Sequence, residues 1–225
     1  MPPPTNDVPA GWVAVLAVKG LDAAKSRLAL PRTVTAELAL AFALDTVAAV
    51  LSSRSVTGAV VVTSDRRVRA EMTAAGASVV EEEVDGGLNA ALALGIASAA
   101  ADAPGRGVVL IAADLPALRG HELDAAMAAA AGVPVGLVAD VEGTGSTLLC
   151  SGSPALLRPR FGAGSAAAHS ADGARHLTSP DGFPGLRRDV DTVAHLAQAS
   201  LLGLGPRTHA ELAKLGPVSL PHRTG

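Results

Sequence analysis

Short, continuous apolar runs alternate along the chain with longer stretches in which apolar residues have helical spacing. The runs Trp12–Val18, Ala59–Thr63 and Val108–Asp114 are rich in β-branched residues and are short enough for buried strands. The stretches Thr35–Leu51 and Gly87–Ala101 between them have the length and the alanine-rich composition of helices. Strands that alternate with helices predict an α/β fold with a mostly parallel sheet and right-handed crossovers.

Weaker patterns indicate the remaining secondary-structure elements. They predict helices at Arg67–Ala75, His121–Ala131, Ser165–Ala171 and Thr192–Leu202, and strands at Ser78–Glu81, Val135–Asp140 and Thr147–Cys150. The pattern weakens after Pro206. We therefore predict a disordered, proline-rich lead-in at residues 1–11, one domain at residues 12–205 and a C-terminal tail at residues 206–225.

The composition supports a large apolar core and excludes several classes of function. Hydrophobic residues make up 49% of the chain and charged residues 17%, which argues against wholesale disorder. Aromatic residues make up only 2%, so a platform of stacked aromatic rings for single-stranded nucleic acid is excluded. The formal net charge is −3 and no dense Lys/Arg run is present, so no nucleic-acid partner is expected.

Cysteine usage and apolar stretches bear on the compartment. Cys150 is the one cysteine, which excludes a disulfide framework and fits a reducing cytoplasm. The longest apolar helical stretch, Thr35–Ser53, is interrupted by Glu37 and Asp45, so no membrane partner is expected. Residues 1–11 lack the positive start and the apolar stretch of a secretory signal.

A cationic loop directly follows the first predicted strand. Lys19, Lys25 and Arg27 lie within nine positions of one another, just beyond the carboxyl end of that strand. Open α/β sheets bind ligands at this edge, and cations there can neutralise a triphosphate. A solvated basic loop is the alternative interpretation.

Carboxylates at two places in the sequence suit a divalent cation. Asp114 closes a long apolar run, and Asp189 and Asp191 are two residues apart, so in an extended segment they face the same side. Mg²⁺ prefers carboxylate and phosphate oxygens as ligands. The alternatives are that Asp114 is a turn or cap residue and that Asp191 caps the helix near Thr192.

Two glycine-rich turns could hold a small anion. Phe161-Gly-Ala-Gly-Ser165 leads into a predicted helix, and Gly143-Thr-Gly-Ser-Thr147 separates two predicted strands. Free backbone N–H groups and hydroxyls in such turns bind phosphate or carboxylate. The alternative is that each is simply a turn.

Several motifs occur in one order that resembles a known family. They are Val18-Lys19 with Ala24-Lys-Ser-Arg-Leu28, Gly87-Leu-Asn89, Ala113-Asp-Leu-Pro-Ala-Leu118, Gly143-Thr-Gly145, Arg160-Phe-Gly162 with Ser165, and Asp189-Val-Asp191. Over residues 12–205 the chain resembles the guanylyltransferases of coenzyme F-420 biosynthesis, which act on phosphoenolpyruvate or 2-phospho-L-lactate. The ordered set is specific, although no single motif in it is.

The resemblance implies a fold, an activity and a set of site residues. The fold is a three-layer sandwich with a Rossmann-like sheet, of the nucleotide-diphospho-sugar transferase type. The activity is the transfer of GMP from GTP to phosphoenolpyruvate, with Mg²⁺ as the cofactor. The implied catalytic residues are Lys19, Lys25, Arg27 and Asp114; the nucleotide-binding residues are Lys19, Lys25, Arg27 and Asn89; the acid-binding residues are Ser146, Gly162 and Ser165; the metal ligands are Asp114, Asp189 and Asp191.

Several alternatives stay open on the sequence alone. The acceptor could instead be 2-phospho-L-lactate or 3-phosphoglycerate, because these acids differ by few atoms. A metal-dependent glycosyltransferase shares the sheet and the Asp-x-Asp motif, and a nucleotide-binding module without catalysis would need fewer carboxylates. No motif selects guanine, and the sequence leaves the oligomeric state open, with a homodimer compatible.

Overall fold

The computed structural model describes residues 9–21, 25–82, 86–179 and 182–215. The strands are β1 Trp12–Ala17, β2 Val56–Thr63, β3 Ser78–Glu81, β4 Gly107–Ile111, β5 Gly136–Ala139, β6 Ser146–Ser151 and β7 Arg175–His176. The helices are α1 Arg32–Ser52, α2 Arg66–Ala74, α3 Leu88–Asp102, α4 Gly120–Ala129, α5 Ser165–Ala171, α6 Pro184–Arg187, α7 Val193–Leu202 and α8 Pro206–Lys214. Short 3-10 helices lie at Ser26–Leu28 and Pro154–Leu156.

The strands form one sheet with the order β3-β2-β1-β4-β6-β5-β7 among the described residues. The pairs β1–β2, β1–β4, β2–β3 and β5–β7 are parallel, whereas β6 is antiparallel to both β4 and β5. The predicted α/β class with a mostly parallel sheet is therefore confirmed. The antiparallel strand arises because the glycine-rich turn joins β5 to β6 as a hairpin, which needs no crossover helix.

Both faces of the sheet are buried, so successive side chains of β1 enter different cores. Ala14 and Leu16 pack in a cluster with α1, α2 and α4 on one face. Val13 and Val15 pack with α3 on the other face. This arrangement explains why β1 is a continuous apolar run, because a strand covered on both sides has no polar face.

Helix α3 lies unusually close to the sheet at Gly95. A Cβ atom at this position would overlap the side chain of Val15 and would press against Val62. A glycine in the middle of a helix costs about 1 kcal/mol relative to alanine. Here the cost is offset by the close contact of α3 with β1 and β2. This contact places Leu88 and Leu92 at an edge of the sheet where a cavity opens.

Helix α1 is long and apolar enough to cross a membrane by length and composition, but 67% of that apolar window is buried inside the protein. The helix packs against β2 on one side and against α8 on the other. It is therefore the central core helix of this fold, and its two carboxylates have local explanations. Glu37 pairs with Arg67 at the surface.

The buried carboxylate of α1 caps another helix. Asp45 is 5% exposed, and its two oxygens accept hydrogen bonds from the backbone N–H groups of Arg207 (3.0 Å) and Thr208 (2.7 Å). These N–H groups belong to the first turn of α8, which has no partners for them within the helix. A negative charge at a helix N-terminus is favourable, so this contact fixes α8 against α1.

The end of the chain therefore differs from what its weak pattern indicates. Residues Pro206–Lys214 form α8, although the sequence after Pro206 suggested no element. The short elements β7 and α6 were not expected either. Each of the three is held by contacts with segments distant in the chain, which local periodicity does not record.

A third apolar cluster lies beside the carboxyl edge of the sheet. It consists of Leu28, Leu38, Phe42, Ala117, Val190, Leu196 and Ala199. Three of its members come from the segments that connect the strands and α-helices, and those segments also carry polar residues of interest. Leu28 follows Arg27, Ala117 lies three residues after Asp114, and Val190 separates two aspartates, so the cluster fixes the segments around a polar site.

We expect Asp45→Asn to lower the free energy of unfolding by about 1–3 kcal/mol. The amide would present an NH₂ group to one of the two backbone donors and would remove the charge that favours the start of α8. The matched control is Asp102→Asn on exposed α3 surface, which should change stability by less than about 0.5 kcal/mol. Urea denaturation measures both; equal effects would contradict the capping role.

Candidate active site

A cavity of about 610 Å³ opens where β1, β4 and β5 end and β6 begins. Open α/β sheets bind ligands at this edge because loops from several strands converge there. The cavity is lined by nine of the residues that the sequence singled out: Lys19, Lys25, Arg27, Asp114, Ser146, Gly162, Ser165, Asp189 and Asp191. Segments that lie far apart in the chain therefore meet in one place.

Three carboxylates form the floor of this cavity. Asp114, Asp189 and Asp191 each offer an oxygen, and these oxygens lie within 4.8 Å of one another. The backbone N–H of Val190 donates to the carbonyl of Asp114 at 3.1 Å, which ties the two loops together. Val190 is fully buried in the third apolar cluster, so the two aspartates on either side of it face the cavity.

The helix-capping roles that the sequence left open for Asp114 and Asp191 do not match the structure. The N-cap of α7 is Thr192, whose hydroxyl accepts from the backbone N–H of His195, so Asp191 is not the capping residue. Asp114 lies well before α4, which begins at Gly120. Each carboxylate therefore has no helix-capping role that would explain its position.

One buried oxygen of this cluster, Oδ1 of Asp189, is left without a hydrogen-bond partner among the described residues. Burial raises the pKa of Asp189 to about 7, and the neighbouring carboxylates Asp114, Asp191 and Asp140 contribute to the rise. A set of crowded oxygens with one unsatisfied atom is the donor set that a hard divalent cation prefers. These three aspartates could hold a metal ion.

Lys25 is in direct contact with two carboxylates of the cluster. Its ammonium donates to Asp191 at 2.7 Å and also forms an ion pair with Asp114. Burial opposes its charge, but the two carboxylates outweigh burial and raise the pKa of Lys25. Burial likewise opposes the ionisation of Asp191, and Lys25 and Arg27 still lower its pKa.

The loop that carries Lys25 has an unusual backbone. Lys25 has φ of 54°, in the left-handed region that non-glycine residues seldom adopt. Such strain costs about 1–3 kcal/mol and persists only where surrounding contacts fix it. Leu28, fully buried in the third cluster, supplies such a contact just after the loop.

The other two cations of the first loop lie nearer to solvent. The guanidinium of Arg27 is 4.0 Å from Asp191, and its side chain is 78% exposed. Lys19 donates to both oxygens of Glu82, at 3.1 and 3.0 Å, while it lines the cavity. Glu82 is buried, so it fixes the ammonium of Lys19 just beyond the carboxyl end of β1. Both remain within the space that a bound polyanion would use.

A second part of the cavity lining is formed by Ser146, Gly162 and Ser165, and it is named the neutral wall because these residues are uncharged. Ser165 at the start of α5 is 1% exposed, and its Oγ has no hydrogen-bond partner among the described residues. Ser146 at the start of β6 is bonded to His169 at 2.9 Å. Gly162 lines the same wall, and its carbonyl accepts from the backbone N–H of Ser165.

An aspartate outside the predicted set shapes the first glycine-rich turn. The two oxygens of Asp140 accept from the backbone N–H groups of Thr144 (2.8 Å) and Gly145 (2.7 Å). A Cβ atom on Gly145 would overlap the Asp140 carboxylate, so this turn requires glycine. Asp140 also lines the cavity, where its charge adds to that of the acidic cluster. The signal for it was its place before a glycine-rich turn.

Asn89 holds a loop of the cavity wall. Its side-chain amide donates to the carbonyl of Phe161 at 3.0 Å and accepts from the backbone N–H of Phe161 at 2.8 Å. Among the described residues, Asn89 does not line the cavity, whereas its neighbour Leu88 does. Both polar atoms of the amide are thus engaged in fixing the turn that contains Gly162.

A family model identifies the class to which this architecture belongs. The MobA-like NTP transferase domain matches residues 36–186, well over half of the chain. The matched segment includes Asp114, Ser146 and Ser165, but it ends just before Asp189 and begins after Lys25. The class is therefore that of transferases that use nucleoside triphosphates.

Relatives similar over nearly the whole length narrow the class. The phosphoenolpyruvate guanylyltransferase of Thermomonospora curvata is 48% identical over 212 residues, which cover 94% of this chain and 92% of that protein. The enzyme of the same name from Streptomyces coelicolor is 47% identical over 206 residues, 91% of this chain and 97% of that protein. The chain belongs to the phosphoenolpyruvate guanylyltransferase family within the MobA-like NTP transferases. The family resemblance drawn from the ordered motifs is thus confirmed.

Solved structures confirm the fold. A protein assigned to the nucleotide-diphospho-sugar transferases from Desulfovibrio desulfuricans superposes with a TM-score of 0.65 at 17% identity, covering 90% of this chain and 94% of that one. A 4-diphosphocytidyl-2C-methyl-D-erythritol synthase superposes with a TM-score of 0.58 at 13% identity, covering 85% and 98%. At these identities the likeness concerns the fold alone.

Proposed function

We propose that this protein transfers GMP from GTP to phosphoenolpyruvate, forming enolpyruvoyl-2-diphospho-5′-guanosine and pyrophosphate. The observation that carries the proposal is that one cavity is lined both by a crowded acidic cluster with Lys25 and by Ser165, whose hydroxyl has no partner among the described residues. Membership of the family supports the choice of substrates. The reaction would belong to coenzyme F-420 biosynthesis in the cytoplasm.

The proposed chemistry needs no proton transfer. An oxygen of the acceptor's phosphate attacks the α-phosphorus of GTP, a new P–O bond forms, and the bond from the α-phosphorus to the bridging oxygen breaks. Pyrophosphate leaves with the electron pair. Because the attacking phosphate is already ionised, catalysis rests on positioning two anions and on reducing their mutual repulsion. This requirement matches a cavity that is rich in charged groups.

On the donor side, the cationic loop binds the triphosphate. Lys25 is held beside Asp114 and Asp191, and in our proposal its ammonium moves to phosphate oxygens when the nucleotide enters. Lys19 and Arg27 add charge near the solvent side of the same space. A cation that contacts the leaving pyrophosphate stabilises the negative charge that builds up as the bond breaks.

The acidic cluster would hold Mg²⁺. The unsatisfied Oδ1 of Asp189 and the all-oxygen donor set fit this ion, which prefers one or two carboxylates together with phosphate oxygens. When bound, the ion would supply charge neutralisation between the donor and acceptor phosphates. Asp114 and Asp191 would then exchange Lys25 for the ion, which frees the ammonium for the triphosphate.

On the acceptor side, the neutral wall binds the small acid. Ser146 and Ser165 would donate hydroxyl hydrogen bonds to its carboxylate or phosphate, and the turn at Gly162 would let the backbone approach closely. An unsatisfied buried hydroxyl costs about 1–3 kcal/mol, so a ligand that accepts from Ser165 recovers this cost on binding. Two anions therefore bind on walls of different chemistry.

A matrix of substrates tests the proposed function. GTP, CTP and ATP are each combined with phosphoenolpyruvate, 2-phospho-L-lactate and 3-phosphoglycerate, and pyrophosphate release is measured. We expect GTP with phosphoenolpyruvate to give the highest kcat/KM, with release that requires both substrates. Turnover only when a nucleoside-diphospho-sugar replaces the nucleoside triphosphate, with release of a nucleoside diphosphate, would indicate a glycosyltransferase. Binding of GTP without turnover on any acid would indicate a nucleotide-binding module.

We expect Asp114→Asn to lower kcat by at least about 100-fold, the range for removing a key electrostatic group. The substitution keeps the size of the side chain and removes the charge that the metal site needs. Asp102→Asn on α3 serves as the control and should retain wild-type turnover. Near-normal turnover of Asp114→Asn at saturating Mg²⁺ would remove Asp114 from the proposed metal site.

We expect Lys25→Met to have opposite effects on metal binding and on turnover. Without the ammonium, the carboxylates Asp114 and Asp191 lose a competing cation, so Mn²⁺ alone should bind about 3- to 10-fold more tightly. Turnover should fall because the triphosphate loses its contact. Electron paramagnetic resonance measures free Mn²⁺ in the absence of nucleotide, and Lys214→Met at the surface is the control. Weaker Mn²⁺ binding by Lys25→Met would contradict the exchange.

A further inference from the structure

We propose that His169, which the proposed function does not use, is a positioning residue that aims the hydroxyl of Ser146 into the acceptor pocket. The inference rests on the proposed function, because it concerns how that site recognises the small acid. It follows from three observations: the partners of the two ring nitrogens of His169, the burial of the ring, and the independent anchoring of the adjacent turn.

The hydrogen bonds of His169 assign its tautomer. The backbone N–H of Arg160 donates to Nε2 at 2.9 Å, and a backbone amide can only donate. Nε2 therefore carries no hydrogen, and in the neutral ring the hydrogen is on Nδ1. Nδ1 lies 2.9 Å from Oγ of Ser146, so the ring donates and the serine oxygen accepts.

The direction of this bond determines what Ser146 can offer to a ligand. A hydroxyl has one hydrogen and two acceptor positions. Because His169 occupies an acceptor position, the hydrogen of Ser146 is left to donate elsewhere, and Ser146 lines the cavity. If the ring accepted instead, the hydrogen would be used inside the protein and the cavity would face only lone pairs. An anionic acceptor needs the donor.

The surroundings keep the ring neutral. His169 is 1% exposed, and burial lowers its pKa, with the charge of Arg160 acting in the same direction and that of Asp172 in the opposite one. Asp172 is itself paired with Arg160 at the surface. The ring of Phe161 packs edge-on against the imidazole with centroids 5.1 Å apart. A hydrogen on Nε2 would also face the N–H of Arg160, so the doubly protonated ring is disfavoured.

The turn at Phe161 is also held by a residue other than His169. The two hydrogen bonds of His169 can therefore be tested separately. Asn89 holds Phe161 through two backbone hydrogen bonds, so loss of the bond from Arg160 to His169 leaves the turn attached. Loss of the bond to Ser146 has no such substitute among the described residues. His169 and Ser165 are also four residues apart on α5, so they lie on one face of that helix.

A matched pair of variants tests the two nitrogens separately. In His169→Asn the side-chain amide reaches the position of Nδ1 and can still donate to Ser146. In His169→Gln the amide reaches the position of Nε2 and can accept from Arg160, but it leaves Ser146 without its donor. We expect His169→Asn to stay within about 3-fold of the wild-type affinity for phosphoenolpyruvate and His169→Gln to lose about 10-fold. The KM for GTP should be unchanged in both.

A double-mutant cycle with Ser146→Ala decides whether His169 acts through the serine. We expect Ser146→Ala to weaken phosphoenolpyruvate binding by about 10-fold and His169→Gln to add less than about 2-fold on that background. A role confined to folding would give multiplied effects and would move the KM for GTP as well. Multiplied effects, or equal losses in His169→Asn and His169→Gln, would overturn the inference.

The readout separates this inference from the proposed function. Calorimetry measures the Kd for phosphoenolpyruvate without turnover, and pyrophosphate release measures turnover. A wild-type protein that binds the acid but does not release pyrophosphate would overturn the proposed function, while the cycle in Kd would still decide the role of His169. A wild-type protein that does not bind phosphoenolpyruvate would overturn both.

Discussion

Like-charge repulsion among three aspartates is the constraint around which the active-site edge of this protein is built. Oxygens of Asp114, Asp189 and Asp191 lie within 4.8 Å of one another, and burial makes their repulsion stronger than it would be in water. Besides the ion pairs of Lys25 with Asp114 and Asp191, the chain holds them together with contacts that are independent of charge. The backbone bond from Val190 to Asp114 joins the two loops, and the apolar cluster around Phe42 fixes their other faces. A rigid apolar support is what lets the polar side remain unsatisfied.

The two walls of the cavity offer different interactions, because the triphosphate and the small acid need different kinds of recognition. The donor wall concentrates charge, since a triphosphate needs cations and its reaction needs negative charge to be spread. The acceptor wall uses neutral hydroxyls and turns, since a small acid of fixed shape is selected by hydrogen bonds placed in fixed directions. Lys25 connects the acidic cluster to the donor wall, and Ser165 stands on the acceptor wall with a hydroxyl unpaired among the described residues.

The residues that the sequence identified are those whose signal is local. Asp114 follows a long apolar run, and Asp189 and Asp191 have the spacing of an extended segment. That the three share one metal site was implied only by the resemblance to a family. His169 had no such signal, because the role of this histidine depends on Ser146, which lies 23 residues away in another element. Asp45 could be recognised as an interruption in an apolar helix, but its partners lie more than 160 residues later. Hydrogen bonds between residues that lie far apart in the chain cannot be recognised from the hydrophobic periodicity of the sequence.

A buried polar atom without a partner helps to locate a ligand site only when it belongs to a residue that lines a cavity. Arg188 and Thr208 also have buried polar atoms that lack partners within the described part of the chain, yet neither residue lines the cavity. Each such atom costs about 1–3 kcal/mol, so a folded chain tolerates a few where packing compensates. Asp189 and Ser165 differ because their unpaired atoms belong to residues that line one volume, on its acidic and its neutral wall. A cost that a ligand can remove is evidence of function, whereas a cost that no ligand can reach is only a property of the fold.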